Sequence, residues 1–214
     1  MPEAWPLRGL VLRTPRLELR PDDDEGLLEL AGEARRGVHD PAVMPFQVPW
    51  TDAPPEELGR NVVQFFWSQR AELRPDRWAV HFLVRREGAV IGTQGLMARD
   101  FTITRVVNTG SWLGLRHQGR GIGTEMRAAV LLFAFDLLGA AAARSGAFAD
   151  NVASHEVSRK LGYLADGTET LPRRGEAAVE QRLLLNREAF ERHRPRWTVE
   201  VEGFTEDCRT LLGA

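Results

Sequence analysis

Apolar residues along the chain recur with two spacings, every second residue and every third or fourth, and the changes between them mark out its elements. Leu17 and Leu19 alternate with Arg16, Glu18 and Arg20, which predicts a short half-buried strand ended by Pro21. The acids Asp22, Asp23, Asp24 and Glu25 favour a helix start, and that helix runs to about Arg36. A second helix is expected from Pro54 to about Leu73. Trp78–Arg85 and Ala89–Met97 read as strands joined at Glu87-Gly88, a hairpin signal. A further apolar strand, Gly110–Leu115, leads into a glycine-rich loop. The helix after it, from Gly121 to about Leu138, sets Ile122, Met126, Ala129, Phe133 and Leu137 on one stripe. Its middle is apolar nearly all round, so burial on two sides is expected.

Short segments follow: a strand at Ser145–Ala149, a helix at Ala153–Leu161, strands at Tyr163–Thr168 and Val179–Leu185, and a helix at Asn186–Arg194. Trp197, Val199 and Val201 alternate with Thr198, Glu200 and Glu202 in a last strand. The order predicts an α+β fold, mostly antiparallel, with one strand–loop–helix at its centre and a single domain over 1–214. No internal repeat is visible.

One segment breaks both patterns. HDPAVMPFQVPWTDAPPEE holds five of the twelve prolines, between Pro41 and Pro55, and is therefore stiff and irregular. Phe46, Val48 and Trp50 are too apolar for a free linker, so it is expected to be an ordered loop packed on the domain.

Composition narrows the classes of function. A net charge of −2 gives no support to a general nucleic-acid binder. Cys208 is the only cysteine, which excludes an intrachain disulfide and points to a reducing compartment. The first residues lack the pattern of a secretory leader, and the longest apolar stretch, Ala128–Phe135, is too short to span a bilayer. The expectation is a cytoplasmic protein with neither membrane nor nucleic acid as partner.

The chemistry concentrates in RHQGRGIGTE, residues 116–125, where three glycines fall within five positions. If a helix starts at about Gly121, its first N–H groups have no partner inside the helix and face whatever occupies the loop. A phosphate suits the dipole and the two arginines. The loop does not match GxxxxGK[ST], and its glycine spacing does not match GxGxxG. What remains is Q-x-x-G-x-G: Gln118, Gly121 and Gly123.

Placed after a buried strand and before a long helix, this pattern resembles the acyl-CoA pyrophosphate loop of the GNAT N-acetyltransferase superfamily. TPRLELRP resembles the first strand of its ribosomal-protein N-terminal acetyltransferase (RimJ/RimL-like) branch, and DNVASHEVSRKLGY resembles the second CoA-contacting segment, N-x-x-S ending in KLGY. The pieces fall in the family's order over about residues 10–190, which leaves 195–214 as a C-terminal extension. HDPAVMPFQVPWT is similar to an actinobacterial subgroup containing a proposed succinyl transferase.

The resemblance implies a GNAT fold: a central mixed, mostly antiparallel sheet of about seven strands flanked by helices, with the C-terminal strand as an extra. It implies that the amides of Gln118, Gly119, Arg120, Gly121, Ile122, Gly123 and Thr124 cradle the pyrophosphate of acetyl-CoA, or of another acyl-CoA such as succinyl-CoA. The strand backbone at Trp112, Leu113 and Gly114 would pair with the pantetheine arm. Asn151 would bond the pantetheine and Ser154 would lie near the sulfur, which makes Asn151 and Ser154 the catalytic candidates. Ser158, one turn on from Ser154, would join them in contacting the cofactor; it stands where many members carry a tyrosine acid, and the only tyrosine, Tyr163, stands on the next strand.

Phe46, Trp50 and Asp100 are the candidates for lining the acceptor site, between loops His39–Asp52 and Arg99–Asn108. The branch often has a carboxylate base before the glycine loop, and Asn108-Thr109-Gly110-Ser111 offers none. The base is then elsewhere, with Asp100, Glu125 and His117 as candidates, or the amine needs little help. A lysine-like amine costs about 4 kcal/mol to deprotonate at pH 7.4, an α-amine well under 1.

The expected activity is acyl transfer from CoA to a primary amine, without a metal. A non-catalytic acyl-CoA sensor is the alternative, and a nucleotide-binding module fails on loop spacing. The last strand, around Trp197–Glu202, either completes a sheet edge or pairs with a second copy in a homodimer.

Overall fold

The computed structural model describes residues 4–214. Among them nine strands form one sheet: β1 (Val11–Arg13), β2 (Glu18–Pro21), β3 (Arg77–Arg86), β4 (Ala89–Arg99), β5 (Val106–Leu113), β6 (Ala142–Phe148), β7 (Leu164–Arg173), β8 (Glu176–Asn186) and β9 (Glu200–Glu202). Their order is β7-β8-β6-β5-β4-β3-β2-β1-β9. Of these neighbours only β5 and β6 run parallel. Seven helices accompany them: α1 (Asp24–Arg35), α2 (Pro55–Glu72), α3 (Phe101–Thr104), α4 (Ile122–Leu132), α5 (Val152–Lys160), α6 (Arg187–His193) and α7 (Glu206–Leu212). α4 runs on as one π-helical stretch, Phe133–Leu138, ended by Gly139 at φ 75°.

The helix starts follow local chemistry. Asp23 caps α1 by accepting from the Gly26 amide at 2.7 Å. Pro55 opens α2 with Glu56 and Glu57 behind it. Alternation along each strand then splits the core in two. Phe82, Val84, Leu96 and Val107 pack with Met126, Phe133 and Phe135 of the α4 helix on one face. Leu83 and Val90 pack with Leu27, Leu30, Val62 and Phe66 of α1 and α2 on the other. Each fully buried Leu or Phe contributes roughly 1.5–3 kcal/mol, so the two layers hold the sheet from both sides.

Three features depart from the sequence reading. β1 adds a ninth strand to the seven and one expected; Val11 and Leu12 are buried, but three residues are too few to display an alternation. The segment Arg99–Asn108, expected as a loop, holds α3 and the start of β5. α7 follows the last strand, capped by Thr205. β9 pairs with β1 of the same chain, Leu12 opposite Val201, and so completes the sheet edge. β9 is then the last strand of the sheet, with its outer edge unpaired among the described residues. No helix among the described residues is long and apolar enough to cross a membrane.

Candidate active site

The parallel pair sets the site. β5 and β6 are in register only at Val106↔Ala142, Val107↔Ala143 and Asn108↔Arg144. Beyond that they part, and the last links are long: Thr109 Oγ1–H to the Arg144 carbonyl and Ser145 Oγ–H to the Thr109 carbonyl, both 3.4 Å. Gly110, Ser111, Trp112 and Leu113 stay paired to β4 but have no partner on the β6 side. A cleft thus opens at the carboxyl ends of two parallel strands joined through a helix, where ligands gather in such sheets.

The glycine loop closes one end of the cleft. Gly119 and Gly121 take left-handed conformations, φ 72° and 75°, which explains glycine at both. The amides of Gly119, Arg120, Gly121, Ile122, Gly123 and Thr124 find no acceptor among the described residues. Gln118 differs from the expectation. Its amide donates to the Leu115 carbonyl at 3.2 Å, and its Nε2 donates to the carbonyls of Val38 and Leu113 at 2.7 and 2.9 Å. Gln118 therefore fastens the loop to β5 and to the segment just after α1, and its own amide is already used.

A second anchor comes from the β1–β2 turn. The carboxylate of Glu125, buried in the first turn of α4, accepts the Thr14 hydroxyl at 2.6 Å, the Arg16 amide at 3.0 Å and Arg16 Nε at 2.6 Å. Arg16 Nη1 also donates to the Arg120 carbonyl at 3.1 Å. Glu125 is thus occupied as a clamp, not free as a base. His117 lies beside Glu33, Nε2 to Oε1 3.3 Å, and burial holds its pKa below the usual histidine value. Burial opposes the ionised form of Glu33, yet Arg116 and Arg36 bond its carboxylate and hold its pKa low. Glu33 also fills the space beside Gly114, where a side chain would collide with it. Asp100 is exposed, at φ 48°, in the turn before α3 and at the other end of the β4–β5 pair, so it does not join the cleft.

On the α4 side of the cleft lies a polar cluster. Asn151 caps α5 by accepting from the Ser154 amide at 3.1 Å. Ser154 accepts, at its carbonyl, the hydroxyl of Ser158 at 3.0 Å, and Ser158 is buried. Ser158 in turn accepts Arg127 Nη1 at 2.9 Å, while Arg127 Nη2 reaches Ser111 Oγ of β5 at 3.4 Å. The Arg127 side chain is only 5% exposed, its Nε has no partner, and no carboxylate among the described residues pairs with it. Burial pushes its pKa down and that of nearby Tyr163 up; the tyrosine hydroxyl meets Thr109 Oγ1 at 3.2 Å. The sequence places Arg127 in an apolar helix and does not single it out. The available signal is one arginine inside that apolar run.

On the opposite face the proline-rich loop covers the cleft. His39, Phe46, Trp50 and Trp112 form a row of ring contacts at 5.6, 5.3 and 5.4 Å. The β7–β8 turn meets this loop through Arg174, which binds both oxygens of Asp52 at 2.8 and 2.6 Å and the Pro41 carbonyl at 2.9 Å. Below lies a cavity of about 540 Å³ lined in part by Gln47, Asn108, Gly146, Glu180 and Arg182. Phe46 and Trp50 thus stand near the cleft, through Trp112. Among the described residues no group of three or more His, Cys, Asp or Glu could hold a metal ion.

Residues 16–164 match the family model "Acetyltransferase (GNAT) domain". Solved structures agree in fold. RimJ of Mycobacterium smegmatis, in complex with CoA-disulfide, aligns at TM-score 0.68 with 18% identity, over 87% of this chain and 94% of that one. A putative ribosomal-protein-serine acetyltransferase from Vibrio cholerae aligns at 0.62 with 20% identity, over 82% and 97%. RimL, a ribosomal L7/L12 alpha-N-protein acetyltransferase in complex with coenzyme A, aligns at 0.62 with 18% identity, over 82% and 97%.

Proposed function

The chain belongs to the GNAT acetyltransferase family, and from that premise we propose that it moves an acyl group from acyl-CoA to a primary amine delivered into the β5–β6 cleft. The observation that carries this reading is the run of six unbonded amides, Gly119 to Thr124, beside the unpaired edge of β5. Those amides and the α4 dipole suit a pyrophosphate, and the exposed edge of Arg16 adds positive charge. The free backbone of Ser111–Leu113 suits the amide-bearing pantetheine arm, which directs the thioester toward Asn151 and Ser154. The attacking amine forms the C–N bond, a backbone donor of β5 steadies the oxyanion, and the C–S bond breaks to release CoA.

The acceptor enters from the face covered by the Phe46–Trp50–Trp112 row. By likeness to the RimJ/RimL branch, it is a protein N-terminal α-amine, with lysine as the second choice.

For the acyl group, one observation favours a second reading. Arg127 is a buried cation with no anion among the described residues, a costly arrangement unless a ligand completes it. An acyl chain ending in a carboxylate, as in succinyl-CoA, supplies that anion where acetyl-CoA does not.

Thermal unfolding against acetyl-CoA, succinyl-CoA, free CoA, NAD and ATP tests both readings. At a hundredfold excess over Kd a ligand adds about 2.7 kcal/mol. The expected result is stabilisation by CoA species alone, with succinyl-CoA the strongest. No shift with any CoA thioester sinks the reading, and equal shifts with both thioesters remove the case for succinyl.

A further inference from the structure

Alternation fixes which residues look through each side of the cleft. Thr109 and Ser111 of β5 point toward Tyr163 and Arg127, and Ala143 of β6 packs in the α4 layer. Their neighbours Asn108, Gly110 and Trp112, with Arg144, Gly146 and Phe148, therefore face the α1–α2 side. Asn108 and Arg144 form the last register pair, so Gly110 and Gly146 stand two residues beyond it on either lip of the opening. Neither carries a side chain. The sheet thus has a window there, with no side chain from either lip.

The ionisable group closest to that window comes from β8. Glu180 pairs with Phe148 across the ladder, and its carboxylate lies over Gly146, 2.9–3.1 Å from where a Cβ would be. It is half-buried, in the wall of the cavity below the proline-rich loop, with no hydrogen bond or ion pair among the described residues. The other carboxylates named above are committed or distant: Glu125 to Thr14 and Arg16, Glu33 to Arg116, Asp100 beyond the far end of β5.

We propose that Glu180 is the general base of acyl transfer, taking the proton of the acceptor amine at the Gly110–Gly146 window. The assignment rests on the acyl-transfer reading given above. As the amine nitrogen bonds to the thioester carbon, one N–H proton passes to the Glu180 carboxylate, the C–S bond breaks, and CoA leaves as thiolate. The proton then leaves to water through the cavity.

The charges facing Glu180 fit this role. Glu169 of β7 is its direct cross-strand partner, and Asp166 lies further along β7. Arg144 of β6 and Arg182 of β8 line the same cavity, and the Asp52–Arg174 pair ties the β7–β8 turn to the proline-rich loop. Burial, then Glu169, hold the Glu180 carboxyl above its usual range, toward the pH at which an amine is deprotonated.

The test uses Glu180→Gln and Glu180→Ala with acetyl- or succinyl-CoA and a peptide bearing a free α-amine and one lysine. Expected are a fall in kcat of about 10²-fold or more, loss of the acidic limb of the pH profile, and partial rescue of Glu180→Ala by formate. Thermal stabilisation by acyl-CoA should match wild type. Turnover within threefold of wild type, with the acidic limb intact, overturns the assignment alone. A wild-type protein that no acyl-CoA stabilises overturns the acyl-transfer reading, and the base with it.

Discussion

Arg16 and Glu125, 109 positions apart in the chain, meet through an Nε–H···Oε2 bond of 2.6 Å that fixes the β1–β2 turn to the first turn of α4. The Thr14 hydroxyl shares the same carboxylate, and Arg16 holds the Arg120 carbonyl of the glycine loop. Removing the buried partner strands the rest. Glu125→Ala should cost about 1–2 kcal/mol in urea unfolding and weaken acyl-CoA binding, with Glu125→Gln between wild type and alanine. An unchanged urea midpoint would show that the clamp does not hold the loop.

Two glycines of the loop should respond in opposite directions. Gly121 sits at φ 75°, so Gly121→Ala forces a left-handed alanine, costs about 1–2 kcal/mol and misdirects the amides. Gly123 is inside the helix; an added Cβ would meet Val157 Cγ2 at 3.4 Å and Leu113 Cδ1 at 4.0 Å, both ordinary contacts. Gly123→Ala should stabilise by about 0.5–1 kcal/mol. Thermal melts of the two variants check the signs.

Replacing Arg127 by methionine removes a charge that costs the free protein stability. Arg127→Met should unfold at a higher urea concentration, by about 1 kcal/mol or more, and should lose acyl-CoA turnover, with succinyl-CoA affected more than acetyl-CoA. A destabilised variant would mean that the Ser158 and Ser111 hydrogen bonds outweigh the burial of charge.

The glycine loop is legible in the amino-acid sequence, because only glycine readily accepts the conformations at positions 119 and 121. The α4 stripe is legible for the same kind of local reason. Arg127 and Glu180 are not. Both belong to elements that local pattern identifies correctly, but their importance depends on which face of the sheet the cleft opens to. That follows from where β5 and β6 part. β1 escapes because a strand of three residues carries too little periodicity, and Gln118 is misjudged because its amide is consumed by a turn with Leu115.

A pH dependence follows from two neighbours, one just after β2 and one within β3. Burial against Phe65 and Phe66 pushes His81 down to about 4, so the folded state resists its protonation. Its contribution is full above pH 6.5 and is lost as pH falls from 6.5 to 4, by about 3 kcal/mol. Asp22, whose amide bonds the His81 carbonyl, is pushed up to about 6 by burial, against the pull of Arg70. Its protonation favours the fold, so stability rises as pH falls from 6 to 3.8. Relative to wild type, His81→Leu should gain stability on acidification over this window and Asp22→Asn should lose it. Parallel profiles for the two variants would refute the pairing.

The pairing of β9 with β1 has a consequence for how the protein is made. β1 ends at residue 13, and the strand that covers its outer edge begins at residue 200, 187 positions later. At about 5–20 residues per second a ribosome takes roughly 10–40 s to cover them. Until then the backbone groups on the outer edge of β1 lack the partner strand they have in the fold, and such an edge is the type of surface that recruits other strands. Arg13, which later pairs with Glu202, guards the end of that edge until the covering strand emerges.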